Sequence, residues 1–256
     1  MLKRLLFLFS VLLPGAYQSL AQDVGNIVTD RPDLTESPYL VPKGFLQIET
    51  GGLFERGATG GRQLTLPTVL WKYSATDQLE FRLITETSAA LPGGRLGLNP
   101  VWIGIKTPLV EGKGMLPKVG LIAHLQLDEA ASAGNKARYI APQFRFVFQH
   151  DLSDRFSLSY NLGMEWDGFT ADPNYIYTLS GGFSLGEKAG LFLEVYGDLK
   201  GFSAPGNHYA DGGLTYLLTP NQQVDVSAGY QYAGTAGYYF LSAGYSFRLN
   251  LGRKGK

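Results

Sequence analysis

Nucleophile-and-base chemistry is poorly supported by the residues of this chain. The 256 residues include no cysteine and three histidines, His124, His150 and His208. A nucleophile needs a base within reach and a third group that orients the base. No serine stands within two residues of the loop histidine His208 on an outward face, and His150 lies at a short turn. We therefore predict no catalytic residue and expect the chain not to be an enzyme.

Metal and cofactor sites are not predicted either. No histidine and aspartate fall at ligand spacing on one element. The glycine pairs Gly93-Gly94 and Gly181-Gly182 lack the lysine and the following helix of a phosphate-binding loop. Twenty-two basic and 22 acidic side chains cancel, so nucleic acid is not an expected partner. The sequence predicts no cofactor.

A charged cluster between residues 22 and 44 is the most distinctive chemical feature. Asp30, Arg31, Asp33 and Glu36 are interleaved with prolines at positions 32, 38 and 42. Proline removes a backbone donor and fixes φ, so this stretch is not expected to be a strand inside a sheet. What these charges do depends on the elements that position them.

The first 21 residues have the features of a secretory leader. Lys3 and Arg4 precede an apolar run, Leu5–Leu13, and small residues occupy Ser19 and Ala21. Such a run is too short for a membrane-spanning helix but suits a signal peptide cleaved after Ala21. We therefore expect residues 1–21 to be removed and the protein to be exported.

The remainder is dominated by alternation of apolar and polar side chains. This pattern is clear in Val119–Asp128, Phe156–Trp166, Leu191–Lys200 and Tyr239–Leu249. Counted across the intervening turns, about twelve strands of about ten residues start at Phe45, with both chain ends on the side of the short turns. This arrangement is typical of outer-membrane barrels.

We predict an all-β fold, a transmembrane antiparallel β-barrel over residues 45–250. A short periplasmic or lumenal N-terminal segment, 22–44, precedes it, and a basic tail, 251–256, follows it. A soluble β-sandwich is less favoured because its strands average about five or six residues. Aromatic residues also gather near strand ends, as in interfacial girdles; they are Phe54, Trp71, Tyr73, Phe148, Phe156, Trp166, Tyr175, Tyr230 and Tyr232.

Alternation also predicts which side chains point into the lumen. Both signs of charge are interspersed among them, so no strong anion or cation filter is expected, and ion pairing within the lumen is the favoured role for most. A twelve-stranded barrel lies between filled and open barrels, so its passage should be narrow. The candidate lumen-lining residues are Glu49, Glu80, Arg82, Lys106, His124, Asp128, Arg145, Glu194, Asp198, Lys200 and Arg248.

The charged segment must then lie in the periplasm or inside the lumen, because its charges resist lipid. Arg31 could pair with a lumen carboxylate or neutralise its own neighbours, Asp30 and Asp33. Two interpretations stay open. The segment, with Asp30, Arg31, Asp33 and Glu36, is a plug or gate, or it is a structured cap with no transport role.

Three short motifs carry a family resemblance. Residues 29–38 read TDRPDLTESP, residues 41–44 read VPKG and residues 47–49 read QIE. This run resembles the family of outer-membrane transporters grouped under the MetA pathway of phenol degradation. The resemblance implies a Gram-negative outer-membrane barrel with a transport role. One departure is the tail after the last strand, which places the aromatic assembly signal internally, at Tyr245–Phe247.

These observations predict a channel or transporter for small, apolar or aromatic, solutes in the outer membrane. The expected partners are the lipid bilayer and an unidentified small solute, and a monomer is expected because a closed barrel has no free edge. Inward aromatics such as Trp102, Tyr196, Tyr238 and Phe240 could guide an apolar solute or fill space. The alternatives are a barrel enzyme acting on lipid and a structural or adhesive barrel without transport.

Overall fold

The computed structural model describes residues 24–57, 59–199, 206–234 and 237–252. The predicted leader and Lys200 lie outside these ranges. The described residues form thirteen strands and one short 3-10 turn, Ala133–Asn135. The strands are β1 Phe45–Arg56, β2 Arg62–Thr76, β3 Leu79–Leu91, β4 Gly97–Leu98, β5 Val101–Val110, β6 Lys118–Leu127, β7 Pro142–Ser153, β8 Phe156–Glu165, β9 Asn174–Ser184, β10 Ala189–Leu199, β11 Asn207–Thr219, β12 Gln222–Ala233 and β13 Tyr239–Asn250.

Twelve of these strands close into a ring. Each pairs antiparallel with its neighbours in sequence, and β1 also pairs with β13 from Phe45↔Asn250 to Arg56↔Tyr239. The two-residue β4 only extends the edge of β3, whose main partner beyond β2 is β5. The predicted closed, antiparallel barrel of twelve strands beginning at Phe45 is confirmed.

The two ends of the barrel differ in their connections. At one end, which we call the turn end, two-residue connections such as 77–78, 154–155 and 220–221 join the strands, and β1 begins and β13 ends there. The other end, the loop end, carries longer connections such as 128–141 and 166–173. In outer-membrane barrels the short turns face the periplasm.

Burial is inverted relative to a soluble protein. Fully buried side chains include Gln47, Lys72, Glu80 and Lys106, while Leu193 is 59% exposed. A closed barrel pairs every backbone group in its wall, and an apolar exterior with a polar interior matches a lipid environment. No helix among the described residues is long and apolar enough to cross a membrane.

His208 departs from its predicted position. The sequence placed it in a loop, but it is the second residue of β11 and pairs with Gly197. The ladder between β10 and β11 extends to Asp198↔Asn207, which draws His208 into the sheet. Its Nδ1 lies 2.7 Å from the Tyr177 hydroxyl.

Candidate functional site: the lumen and its inner segment

Residues 24–44, which we call the inner segment, lie inside the barrel. At the turn end the Ile27 amide donates to the Pro220 carbonyl at 2.8 Å, and the Gly44 amide donates to the Ser74 carbonyl at 2.9 Å. Between these points the segment contacts strands on opposite sides of the lumen. Its three prolines leave it without a regular ladder, so side chains of the wall satisfy its backbone groups instead.

Asp30 is surrounded by three cationic side chains of the wall. Its carboxylate lies 2.9 Å from Lys72 Nζ, 2.8 Å from Arg82 Nη1 and 3.1 Å from Lys106 Nζ. All four side chains are at most 4% exposed. Burial alone would raise the pKa of the Asp30 carboxyl, but Lys106, Lys72 and Arg82 hold it well below its usual range. Asp30 is thus an ionised group in a dry, paired site.

Three more carboxylates complete this group. Glu49 accepts the amides of Asp30 at 3.0 Å and Arg31 at 2.9 Å. Glu80 accepts the Val41 amide at 2.8 Å and pairs with Arg82 at 3.1 Å. We call the whole set, which lies on β1, β2, β3, β5 and the inner segment, the charged anchor; it comprises Asp30, Glu36, Glu49, Lys72, Glu80, Arg82 and Lys106.

Glu36 fixes the far end of the charged anchor. Arg82 Nη2 lies 2.7 Å from its carboxylate. Burial would raise the pKa of Glu36, but the facing Arg82 guanidinium lowers it below its ordinary value. Asn161 also clamps the Glu36 peptide, since its Nδ2 donates to the Glu36 carbonyl and its Oδ1 accepts the Glu36 amide, both at 2.8 Å.

His124 belongs to the edge of the same group. Arg82 Nε donates to His124 Nε2 at 3.2 Å, and the side chain is buried. Its described partner is therefore a guanidinium, whereas a general base would have a hydroxyl nucleophile in reach. Among the described residues no cluster of three or more His, Cys, Asp or Glu side chains could hold a metal ion.

The opposite wall holds the inner segment with carboxyl and hydroxyl groups. Glu194 accepts the Leu34 amide at 2.8 Å and also the Thr35 hydroxyl. Asp33 accepts from the Ser180 hydroxyl at 3.1 Å. In the sheet Glu194 lies directly opposite Asp211, and both side chains are buried.

We call Asp33, Glu194 and Asp211 the acidic contact. None of the three forms an ion pair with a lysine or arginine of the described chain. Burial, together with the nearby Glu194, raises the pKa of Asp33 well above its usual range. Asp33 therefore favours its protonated form, in contrast to Asp30 of the charged anchor.

Arg31 lies between the two walls. Its Nη2 is 2.9 Å from Asp225 Oδ1 and donates to the Ser242 hydroxyl at 2.9 Å. The guanidinium occupies a recess left by two glycines, Gly51 and Gly244, which pair directly across β1 and β13. A Cβ at Gly244 would lie 2.3 Å from Arg31 Nε, so the side chain depends on this recess. The sequence left open whether Arg31 pairs with a lumen carboxylate or with its own neighbours, Asp30 and Asp33. In the structure it pairs with a lumen carboxylate, Asp225.

Arg31 and Pro32 line two cavities that open toward opposite ends. The loop-end cavity, of about 550 Å³, is bordered by Tyr196, Tyr209 and Tyr238. The turn-end cavity, of about 620 Å³, is bordered by side chains of the turn between β7 and β8. The inner segment therefore stands between two compartments of the lumen.

The inner segment is also fastened where it leaves the barrel. The Tyr39 hydroxyl donates to Asp151 at 3.0 Å, and Lys118 contacts both the Tyr39 hydroxyl and, at 3.0 Å, Asp151. Burial raises the pKa of Tyr39, which keeps its hydroxyl protonated as a donor. Arg248 donates to the Gly25 carbonyl and, at 2.7 Å, to Asn221.

The candidate residues from the sequence thus have different surroundings. Arg145 contacts the Leu34 carbonyl at 3.3 Å and Glu165 at 3.7 Å, and Asp198 accepts from Asn207 at 3.3 Å. Asp128 accepts the Ala137 amide within a loop. His124 lies against Arg82 of the wall. The remaining described candidates lie against the inner segment as given above; they are Glu49, Glu80, Arg82, Lys106, Glu194 and Arg248.

Sequence reasoning did not single out Lys72, Asn161, Gly51 or Gly244. Lys72 stands between Trp71 and Tyr73, so strict alternation with two outward aromatics would have placed it inward. Asn161 was on a polar face, but nothing local marks its contact with Glu36. The glycine recess arises from the register between β1 and β13, which joins the two ends of the barrel sequence.

A closed antiparallel barrel with an apolar exterior and a polar lumen defines this chain as a transmembrane β-barrel of the outer-membrane type. Residues 29–249 match the family described as "Putative MetA-pathway of phenol degradation", and the chain belongs to that family. The resemblance seen in the N-terminal motifs is confirmed. No curated protein sequence matches the chain significantly.

Solved structures with the same fold are outer-membrane channels and porins. The COG4313 outer membrane channel from Pseudomonas putida F1 has a TM-score of 0.64 and 11% identity, over 82% of this chain and 97% of that one. The KdgM porin has a TM-score of 0.55 and 9% identity, over 78% and 98%. The CymD monoaromatic hydrocarbon channel has a TM-score of 0.50 and 10% identity, over 82% and 89%.

Proposed function

We propose that this protein is a channel for small solutes in the Gram-negative outer membrane, closed by its own inner segment. One observation carries the proposal. Arg31 and Pro32 border both the loop-end and the turn-end cavity, so a solute that crosses the barrel must pass them. A polar lumen within a closed barrel is the arrangement of a diffusion channel, and its blockage by a movable segment adds a gate.

The two walls suggest how the gate moves. The charged anchor holds the Asp30 side with three cations, and breaking such a buried pair is costly. The acidic contact holds the Asp33–Thr35 side with hydrogen bonds alone, each of which contributes about 0.5–1.5 kcal/mol. We infer that residues 31–35 swing away from β9–β12 while Asp30 stays in place. This movement also breaks the Arg31–Asp225 pair, which is the one ion pair between this stretch and that wall among the described residues.

The chemistry of the lumen supports a small aromatic or apolar solute. Tyr196, Tyr209, Tyr238 and Phe240 line the loop-end cavity, and the CymD structure with the same fold bears the name of a monoaromatic hydrocarbon channel. The lipid-hydrolase alternative is not favoured by any contact, because the described partner of His208 is Tyr177. Cleavage after Ala21 and a monomeric state complete the proposal.

Single-channel conductance in planar bilayers tests the channel and its gate together. A variant that lacks residues 24–40 should fold into the same barrel, and its conductance should be several times that of the full chain because both cavities join. Retention of the heat-sensitive shift in gel mobility serves as the check of folding. Equal conductance in the two forms would contradict the gate, and no conductance in either form would contradict the channel.

The matched control keeps the inner segment but removes one of its exposed fastenings. Asp151→Asn weakens the contacts with Tyr39 and Lys118 at the turn end and leaves the contacts of Arg31 unchanged. Surface ion pairs contribute about 0–1 kcal/mol, so the conductance of this variant should stay close to that of the unaltered protein. An increase as large as that caused by the deletion would place the barrier at the turn end instead.

A further inference from the structure

The loop-end cavity is walled on one side by a cluster of aromatic rings. Tyr196 and Tyr209 stack with ring centroids 4.9 Å apart and an interplanar angle of 11°. Tyr238 meets Tyr209 edge-on at 5.6 Å and 84°, and Phe240 follows at 6.4 Å from Tyr238. The rings belong to β10, β11, β13 and the connection just before β13, so the barrel fixes them as one surface, which we call the tyrosine wall.

Carboxylates border the same cavity. They are Glu55, Glu86, Glu165 and Asp198. Glu55 accepts the Tyr238 hydroxyl at 2.8 Å, which joins one carboxylate to the tyrosine wall. Asp198 is held by the Asn207 amide, and Glu86 lies 3.5 Å from the Asn99 amide. These three side chains form no ion pair with another described residue.

The two described cations of the cavity are already engaged. Arg31 pairs with Asp225 at 2.9 Å, and Arg145 contacts Glu165 at 3.7 Å and the Leu34 carbonyl at 3.3 Å. The cavity therefore combines aromatic faces with an excess of negative charge from its described lining residues. An anionic solute would meet repulsion there, and a neutral one would gain from the rings alone.

We propose that the loop-end cavity is a binding site for small organic cations that carry an aromatic ring. The ammonium group would lie between the tyrosine wall and Glu55, where ring quadrupoles and a carboxylate act together. A cavity of about 550 Å³ is within the usual range for small-molecule sites. The role of this site in permeation rests on the proposed function, whereas binding itself is measured independently of conduction.

Calorimetry with benzyltrimethylammonium chloride tests this site on the full chain in detergent. Benzyl alcohol supplies a neutral ring and benzoate an anionic one. We expect the cation to bind at least about threefold tighter than either, in line with cation–π and carboxylate attraction. Equal or tighter binding of benzyl alcohol or benzoate would overturn the proposal.

Variants place the binding at the tyrosine wall. Glu55→Gln keeps the shape of the side chain, and Tyr196→Leu removes one ring; each should weaken binding of the cation by about three- to thirtyfold. Tyr196→Phe retains the ring and should bind nearly as the unaltered protein does. Glu187→Gln, on an exposed turn at the opposite end, is the matched control. Loss of affinity in Glu187→Gln equal to that in Glu55→Gln would overturn the assignment.

The outcomes separate this inference from the proposed function. If the protein binds the cation but never conducts, the result would support the binding site and contradict the channel. If conductance rises on deletion of the inner segment but the protein binds the cation no more tightly than the neutral and anionic rings, the result would support the channel and contradict the binding site.

Discussion

The two walls that hold the inner segment differ in kind. On the β1–β5 side, Asp30 is enclosed by Lys72, Arg82 and Lys106, all ion-paired and buried. On the β9–β12 side, Asp33 meets Glu194, which lies opposite Asp211, with no described cation paired to any of them. Apart from the Arg31–Asp225 pair, the segment is therefore held by ion pairs on one side and by hydrogen bonds to carboxyl and hydroxyl groups on the other.

A lumen that holds such a segment need not be permanently closed. Removal of one partner from a buried ion pair costs about 3–5 kcal/mol, whereas a hydrogen bond contributes about 0.5–1.5 kcal/mol. The first wall can act as a fixed attachment and the second as the side that releases. Substitutions on each wall should therefore have unequal effects.

The largest effect is expected from Asp30→Asn. The amide removes the charge that Lys72, Arg82 and Lys106 share, so the free energy of unfolding should fall by about 3–5 kcal/mol. Urea denaturation followed by tryptophan fluorescence measures this change, and limited proteolysis reports release of the inner segment. Asp154→Asn, on an exposed two-residue turn, should unfold like the unaltered protein. Equal stability of the two variants would refute the charged anchor.

Glu194→Gln should have a smaller effect. The amide oxygen of the new side chain can still accept a hydrogen bond from Leu34 or Thr35. Loss of the carboxylate charge also removes the repulsion between this side chain and Asp211. The expected change in the free energy of unfolding is at most about 1.5 kcal/mol. The same urea titration checks it. A loss as large as that of Asp30→Asn would show that the two walls hold the segment equally, and the comparison would fail.

Gly244→Ala should act on the gate with little effect on the barrel. The three heavy atoms nearest to the new Cβ all belong to the Arg31 guanidinium, at 2.3–2.6 Å, so the guanidinium must shift from Asp225. We expect a higher open probability in planar bilayers and unchanged gel mobility. Gly52→Ala is the control on β1, because its Cβ would meet only the flexible end of Leu66 within 3 Å. Similar recordings from both variants would exclude a role for the recess.

The change of open probability with pH should be the smallest of these effects and the one most specific to the acidic contact. The raised pKa of Asp33 means that its carboxyl is protonated while the inner segment is docked. The stabilisation of docking by this proton is fully present below the ordinary aspartate pKa of about 3.9, and it is lost as pH rises toward the raised pKa. The charged groups that act on Asp33 are Glu194, Asp211 and Asp30. Open probability of the unaltered channel should therefore increase with pH.

Asp33→Asn should flatten this increase, as measured by recordings between pH 5 and 8. Asp30 and Glu36 have lowered pKa values, so their contribution is present above the ordinary carboxylate values and is lost only at more acidic pH. Their contribution to docking therefore stays constant between pH 5 and 8. An unchanged pH profile in Asp33→Asn would show that the acidic contact does not control release.

Much of the barrel could be predicted from sequence because the alternation of inward and outward side chains depends only on residues next to each other in the chain. Alternation placed Leu193 outward and Glu194 inward without any knowledge of neighbouring strands. Strand β1 begins at Phe45, as predicted, since Gly44 and the preceding prolines end the irregular segment. His208 was placed wrongly because the length of the β10–β11 ladder depends on pairing between strands, which alternation does not specify.

The site was predictable only in part, for a physical reason. The charges at Asp30, Arg31, Asp33 and Glu36 showed that the segment avoids lipid, but their partners come from Lys72, Asp225 and Glu194, distant along the chain. The recess for Arg31 needs two glycines whose contact arises only when β1 closes on β13. Which residues meet across the lumen is therefore determined only when all the strands have closed into the barrel.

Cross-linking of the inner segment to the wall measures whether residues 24–44 form the gate. The hydroxyls of Thr35 and Thr178 are 2.7 Å apart, and the chain has no cysteine of its own. Thr35→Cys combined with Thr178→Cys should form a disulfide under mild oxidation, lower the conductance and recover it on reduction, whereas Thr35→Cys with Thr68→Cys should not. Absence of the disulfide, or a disulfide that leaves the conductance unchanged, would contradict a gate formed by residues 24–44.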